Sequence, residues 1–270
     1  MERIDFKATP QEPIQGHTSK GDQPKWFRAG RWYKADHMGY EALAEVVISR
    51  LLAKSNVSSF VDYAPVFIAF DGKEKPGCMS KTFLQPNEML VPFERLHRAY
   101  KGLGMAQAIS RMDSVADKLA YVSDFVESTT VLTQVTNYLS MLVELDAFFL
   151  NEDRHTNNLA VIRNEITHEY RLCPVFDNGL ALLSDLNDYP LGADIFDCIG
   201  RVRAKPFSTS FDEQFEAVAD LPVAHLHFSF TKHDVSETLS EMSVLYPPEI
   251  INRVEDILLE QMRKYSVFFK

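Results

Sequence analysis

Asn151-Glu152-Asp153-Arg154-His155-Thr156-Asn157-Asn158 is the stretch on which the reading of this chain turns. It is polar throughout and follows a long apolar run. Residues 131–150 carry Leu132, Val135, Tyr138, Leu139, Leu142, Leu145 and Phe149 on one stripe, which predicts a helix that stops just before the polar segment. Beyond it, residues 159–163 and 170–176 read as two short strands joined by a polar turn around Asn164-Glu165. The second strand leads into Phe176-Asp177-Asn178-Gly179. A hairpin of this kind returns the chain and is expected to bring Asp177 back beside Asn158.

Those residue types at that spacing suit phosphoryl transfer. The reaction needs a carboxylate to orient and accept the proton of an attacking hydroxyl, oxygen ligands for Mg²⁺, and a cation on the nucleotide phosphates. Asp153 stands five residues before Asn158, and Asp177 follows nineteen residues after it. This is the order of a base, a metal-binding Asn and a second metal-binding Asp before a Gly. Hard oxygen donors of this kind suit Mg²⁺. Taken singly, Asp153 or Asn158 is what a helix cap or a turn would use. The full cluster after an apolar helix, with an Asp-x-Gly behind a strand, favours the catalytic reading. His155 lies beside the base without a second His at ligand spacing, which argues against zinc. His225 and His227 read as incidental.

Working back toward the N-terminus, Lys25-Trp26-Phe27-Arg28 and Arg31-Trp32-Tyr33-Lys34 flank Ala29-Gly30 and predict a β-hairpin. An amphipathic helix is expected over residues 40–54, and strands over 61–70 and 78–84 around the turn Asp71-Gly72-Lys73. Lys34, at the end of a strand, is the candidate for the nucleotide phosphates. Glu45, eleven residues later, is its candidate ion-pair partner, with Glu41 as competitor one turn earlier. Gly21 sits in Thr18-Ser19-Lys20-Gly21-Asp22-Gln23-Pro24-Lys25, a candidate phosphate-covering loop. Residues 1–24 otherwise read as loop or arm. Toward the C-terminus, a helix is expected over 115–128, and Pro247-Pro248 opens a last one. The divisions are an arm at 1–18, a small strand-rich lobe at 19–85 and a larger, mainly helical lobe at 86–270, an α+β architecture.

Composition excludes several alternatives. Lys plus Arg number 28 against 38 Asp plus Glu, a formal charge of −10. No Lys/Arg run exceeds two residues, so direct nucleic-acid binding is not expected. A hydrophobic content of 46% with 19 Phe supports a sizeable core. Cys78, Cys173 and Cys198 lack metal spacing and suit buried thiols in a reducing compartment. The charged N-terminus does not read as a signal peptide, and no apolar run approaches the ~20 residues of a membrane span. A cytoplasmic protein is expected. A Gly-x-x-x-x-Gly-Lys-[Ser/Thr] loop and a Gly-x-Ser-x-Gly elbow are both missing, which excludes a P-loop NTPase and weakens a hydrolase reading.

Asn151–Asn158, Phe176–Gly179, and Gly21-Asp22-Gln23-Pro24-Lys25 followed by Trp32-Tyr33-Lys34 together resemble the HipA-like serine/threonine kinases. The likeness runs from about residue 19 to the C-terminus. The Asp-Arg-His-x-x-Asn loop is also similar to that of phosphoinositide kinases, so the N-terminal match narrows the reading. The resemblance implies a two-lobed protein-kinase-like fold and an ATP- and Mg²⁺-dependent protein kinase. Asp153 would be the base with His155 beside it, and Asn158 and Asp177 the metal ligands. Ser19, Lys20, Gly21, Lys25 and Lys34 would lie on the nucleotide, with Glu45 behind Lys34. The segment 79–84, with Met79 and Phe83, would form the hinge beside the adenine. Thr18 or Ser19 would be an autophosphorylation site. A protein substrate, among them a translation component, and an antitoxin-like regulator are the implied partners. Full-length HipA carries a further N-terminal subdomain, and this chain resembles the stand-alone kinase core. A small-molecule or lipid kinase of the same fold, and a non-catalytic nucleotide-binding module, are the competing readings.

Overall fold

The computed structural model describes residues 2–6 and 23–270. The expected hairpin is present as β2 (Lys25–Arg28) and β3 (Arg31–Ala35), in register Lys25 to Lys34. Its two turn residues, Ala29 and Gly30, both take positive φ, the backbone that matches the twist of a two-residue hairpin. β4 (Tyr63–Phe70) and β5 (Lys73–Lys81) form a second hairpin over Asp71 and Gly72, again with positive φ at both. Lys73, expected in the turn, is thus the first residue of β5, and the strand ends at Lys81 rather than at 84. Residues 2–5, expected as part of a loose arm, instead form β1 (Glu2–Asp5), which pairs parallel to β4. Ile4, Val66 and Ile68 pack with Trp26, Tyr33 and Phe70 on one face of the sheet, and this burial gives β1 its place. The strand order is β1-β4-β5-β3-β2.

The other face of the sheet carries α1 (Glu41–Leu52). An amphipathic helix was the expectation. In the structure eleven of its twelve residues are buried, because β3, β4 and β5 cover one side and the larger lobe covers the other. Its apolar residues belong to the same core as those of α5 (Val135–Phe149), and this shared core fixes α1 between the lobes.

The larger lobe begins with β6 (Glu88–Pro92), which the sequence did not announce, and continues with α2 (Phe93–Lys101) and α3 (Met105–Ile109). α4 (Val115–Thr130) is capped by the Ser114 side chain. α5 starts four residues later than expected, because Val131 and Gln134 adopt left-handed backbone in the turn between the helices. β7 (Ala160–Asn164) and β8 (Tyr170–Leu172) pair antiparallel, with β6 on the far side of β7. β8 stops before Pro174, which has no N–H for a ladder. α6 (Ile195–Arg201), α7 (Phe211–Ala219), α8 (Lys232–Met242) and α9 (Pro248–Lys264) complete the lobe, the last with Pro248 in its first turn as expected. The whole is α+β, a small strand-rich lobe followed by a larger helical one. Among the described residues no helix is long and apolar enough to cross a membrane.

Candidate active site

Lys34 lies on β3 between Lys25 of β2 and Cys78 of β5. Its Nζ donates to Glu45 Oε1 and, at 2.7 Å, to Asp177 Oδ1. The ammonium also sits 5.4 Å from the centroid of the Tyr63 ring. Burial opposes its charge, but the carboxylates of Asp177 and Glu45 outweigh burial and hold its pKa well above the ordinary lysine value. Burial likewise opposes ionisation of Asp177. Lys34 and then Lys25 overcome it and hold that carboxyl below the usual range. The choice between Glu45 and Glu41 follows from geometry. The Glu41 carboxylate accepts the backbone N–H groups of Met38 at 2.7 Å and Gly39 at 3.0 Å, so it closes the entry to α1 instead.

Asp177 has φ +58, a left-handed backbone that Asp tolerates better than most residues. Two clamps hold it there. The Asn178 N–H donates to Glu45 Oε2 at 2.9 Å, so one carboxylate fixes both Lys34 and the Asp-Asn-Gly peptide. On the other side, Arg154 donates to Asn178 Oδ1 at 2.7 Å and to the Phe176 carbonyl at 2.8 Å, and grips Asp146 through Nε and Nη2. Arg154 is buried. Burial disfavours its charge, and the Asp146 carboxylate outweighs that and raises its pKa. Asn151 donates to the same Asp146 at 3.0 Å. Asp146 thus braces the whole loop from inside α5.

The Asp153 N–H donates to Asn151 Oδ1 at 3.1 Å, and Asn158 Nδ2 donates to the Asp153 carbonyl at 2.8 Å. The five-residue step therefore closes a tight loop. The Asn158 amide nitrogen is committed inward, which turns its Oδ1 the other way. His155 Nδ1 accepts the Asn157 N–H at 3.2 Å, and its Nε2 stands 3.6 Å from Asp153 Oδ2, too far for a hydrogen bond. Burial pushes the imidazole pKa below its ordinary value, against the pull of Asp153, and so favours the neutral ring. Lys205 Nζ donates to Asp153 Oδ1 at 3.2 Å.

The hinge candidates separate. Phe83 lies just past β5, its ring centroid 5.6 Å from that of Phe176. Both pack against Ala160 and Ile162 of β7. The Phe83 carbonyl accepts from Arg171 Nη2 at 2.9 Å, and Arg171 is itself paired with Glu88. Met79 was expected beside the adenine. It pairs with Tyr33, one position before Lys34, so strand alternation places its side chain on the opposite sheet face, packed with the Trp26–Tyr33 cluster. The segment free of strand pairing is therefore shorter than 79–84. Thr18, Ser19, Lys20 and Gly21 lie outside the described residues. Glu152, Asp185 and Asp188 bring ligand atoms within 4.8 Å of one another. Glu152 accepts from the Tyr189 hydroxyl at 2.7 Å, and the group includes neither Asn158 nor Asp177.

Sequence reasoning passed over Asp146, Asn178 and Lys205. A carboxylate inside the apolar stripe of residues 131–150 was a usable signal for Asp146, since such a group needs a buried partner. Nothing in the local sequence marks Lys205, which lies 52 positions from Asp153.

No family model matches the chain, and no curated protein matches it in sequence. Among solved structures it is similar to the proinflammatory kinase CtkA of Helicobacter pylori. The identity is 15%, the match covers 97% of this chain and 94% of that one, and the TM-score is 0.61. At that identity the likeness concerns the fold, which is the two-lobed kinase-like one.

Proposed function

We propose that the protein is an ATP- and Mg²⁺-dependent phosphotransferase that acts as a serine/threonine protein kinase of the HipA-like kind. One observation carries the reading. A strand lysine, a helix glutamate and the aspartate of Asp-Asn-Gly meet in a single ion-pair cluster, beside a loop that presents Asp153 and Asn158. Two carboxylates from separate segments, one fully buried and one at the edge of the cleft, converge on this one lysine. That arrangement suits a lysine that must hold phosphates while a neighbouring aspartate holds a cation.

The donor set fits Mg²⁺. Asp177 is kept ionised, and Asn158 presents an amide oxygen because its nitrogen is bonded inward. Asp177 and Asn158 would hold the ion, which neutralises charge on the phosphate oxygens when bound. Lys34, set by Glu45, would bind the nucleotide phosphates, with Lys25 adding positive charge at the same place. Phe83, Phe176 and Ile162 would form an apolar floor for the base of the nucleotide. Asp153 would accept a hydrogen bond from the acceptor hydroxyl and take its proton as the hydroxyl oxygen bonds to the γ-phosphorus. The bond from that phosphorus to the bridging oxygen breaks, and ADP leaves. Neutral His155 sits beside the base as a polar neighbour rather than a second charge.

The resemblance in sequence extends the proposal to a protein substrate, with a translation component and an antitoxin-like regulator as partners, and to autophosphorylation at Thr18 or Ser19. Three buried free thiols and the need for ATP support action in the cytoplasm.

The test is labelling of a cell lysate with γ-labelled ATP and Mg²⁺, using wild type and Asp153→Ala. A protein band labelled by wild type alone is expected, with the rate for Asp153→Ala down by about 10²–10⁴-fold and ATP affinity kept. Label confined to lipids or small molecules would move the substrate class. ATP binding without any transfer would favour a non-catalytic module.

A further inference from the structure

Asp153 can act as a base only if its carboxylate is aimed. A side chain free to rotate about two bonds loses much of its effect, since errors of about 1 Å cost on the order of 10²-fold in rate. The loop fixes the Asp153 backbone through Asn151 and Asn158, and Asn158 Nδ2 also reaches Asp153 Oδ2, at a long 3.5 Å. These contacts leave Oδ1 to be met from elsewhere. Arg154, next in sequence, faces Asp146 and Asn178 instead. His155 stands beyond hydrogen-bond distance and favours its neutral form. Among the described residues, Lys205 makes a direct ionic contact with Asp153 Oδ1, at 3.2 Å.

The segment that delivers Lys205 is built to hold it still. It runs between α6 and α7. Ala204 donates its N–H to the Thr209 carbonyl at 3.0 Å, and Phe207 donates its N–H to the buried Gln214 Oε1 at 3.0 Å. Lys118 Nζ closes on the Phe207 carbonyl at 2.8 Å. Val202, Ala204 and Phe207 are buried, so the backbone on both sides of Lys205 is seated in the core. The Lys205 side chain remains 34% exposed, which leaves its head at the rim of the cleft. Rigid support behind a partly open charged group is how a reactive neighbour is held in one geometry.

We propose that Lys205 is a positioning residue for phosphoryl transfer, holding the Asp153 carboxylate toward the acceptor hydroxyl from a segment outside the catalytic loop. The inference rests on the kinase reading. It assigns a role to Lys205-Pro206-Phe207-Ser208, the segment between α6 and α7. Lys205 acts through Asp153, so its loss should slow transfer and leave nucleotide binding untouched.

The experiment compares Lys205→Met, which keeps length without charge, and Lys205→Arg, which keeps charge. The protein band labelled by wild type serves as acceptor, mant-ATP reports nucleotide affinity, and thermal denaturation reports the fold. For Lys205→Met the expected result is a labelling rate down by about 10²-fold, with mant-ATP affinity and melting temperature unchanged. Lys205→Arg should recover most of the rate. A Lys205→Met protein as fast as wild type overturns the inference and leaves the kinase reading standing. So does a rate lost in step with melting temperature and not recovered by Arg, the pattern of a purely structural residue. A wild type that transfers phosphate to nothing overturns the kinase reading and this inference with it.

Discussion

Among the described residues Arg154 has the largest fully buried side chain, and it ties its own loop to two other segments at once. Its hydrogen bonds reach Asp146 on α5, the Phe176 carbonyl and the Asn178 side chain. The second residue of Asp177-Asn178-Gly179 is therefore a polar tie, whereas the kinase pattern often has Phe there. The aromatic ring in this region is Phe176, one position earlier, packed near Phe83. Removing one member of a buried pair costs more than the pair is worth, because the partner is left charged and unsolvated. Arg154→Met should therefore destabilise the fold by about 3–5 kcal/mol, read as a fall in the denaturation midpoint. Arg154→Met combined with Asp146→Leu should recover much of that loss. Equal losses in the single and double variants would refute the account. The identities of the central residues were legible because chemistry restricts them: a base, two metal-type oxygens and a lysine at fixed order. Their supports were not. Asn178 and Lys205 matter through contacts made across 24 and 52 positions, which no local pattern encodes, and Asp146 shows only as a carboxylate set in an apolar stripe.

At the scale of elements, two short connections decide how the cleft is held. Gly39 precedes α1, and a Cβ there would stand 2.0 Å from the Ser184 carbonyl oxygen. The backbone pairs directly with Asp185, tying the start of α1 to the segment after Asp-Asn-Gly. Gly39→Ala must push that segment away, at a cost of about 1–3 kcal/mol. It should also weaken ATP binding, since α1 carries Glu45. Unchanged melting and affinity would mean that this contact does not hold α1 in place. The second connection is the Glu88–Arg171 pair under Phe83. Arg171 holds the Glu88 carboxyl down to about 2. An acid with a depressed folded pKa contributes stability above its unfolded value and loses it as pH falls through the folded one. The pair should thus weaken between pH 4.5 and about 2. Glu88→Gln should be less stable than wild type at pH 7 and should converge with it in acid, in denaturant titrations across that range. Parallel curves would refute the assignment. Periodicity and turn residues found α1, α4, α5, α9 and the three hairpins β2–β3, β4–β5 and β7–β8. They did not find β1 or β6. Neither has a hairpin partner beside it in sequence to mark it, and both owe their place to distant strands, β1 to β4 and β6 to β7. The all-round burial of α1 was equally out of reach, since its second covering layer comes from the other lobe.

At the scale of the whole molecule, the lobes are joined through a buried carboxylate. Asp36, just after β3, accepts the Ala42 N–H at 2.7 Å with one oxygen and the Tyr246 hydroxyl at 2.7 Å with the other. Tyr246 sits between α8 and α9, so this bond ties the root of the Lys34 strand to the helical lobe. Burial raises the Asp36 pKa well above its ordinary value, with the charge of Glu41 adding to it. The Ala42 N–H, the Tyr246 hydroxyl and Lys75 pull the other way. A raised folded pKa means that the native state binds a proton more tightly than the unfolded chain. Stability then falls as pH climbs from the ordinary aspartate range through the folded pKa, the opposite of the Glu88 case. Asp36→Asn removes the titration while keeping the shape. Its oxygen can still accept the Ala42 N–H, and the Tyr246 hydroxyl can rotate to accept from the new amide. Tyr246→Phe keeps the carboxylate and removes its donor, which leaves a buried acceptor oxygen unsatisfied at a cost of about 1–3 kcal/mol. Denaturation midpoints from pH 4 upward (about the unfolded aspartate pKa) should separate the variants. Asp36→Asn should gain on wild type as pH rises, and Tyr246→Phe should fall further below it. In the Asp36→Asn background, Tyr246→Phe should lose its pH dependence, because the charge that made the missing donor costly is gone. If Tyr246→Phe tracks wild type at every pH, the carboxylate is not what couples the lobes. The shared core of α1 and α5 would then carry that coupling alone.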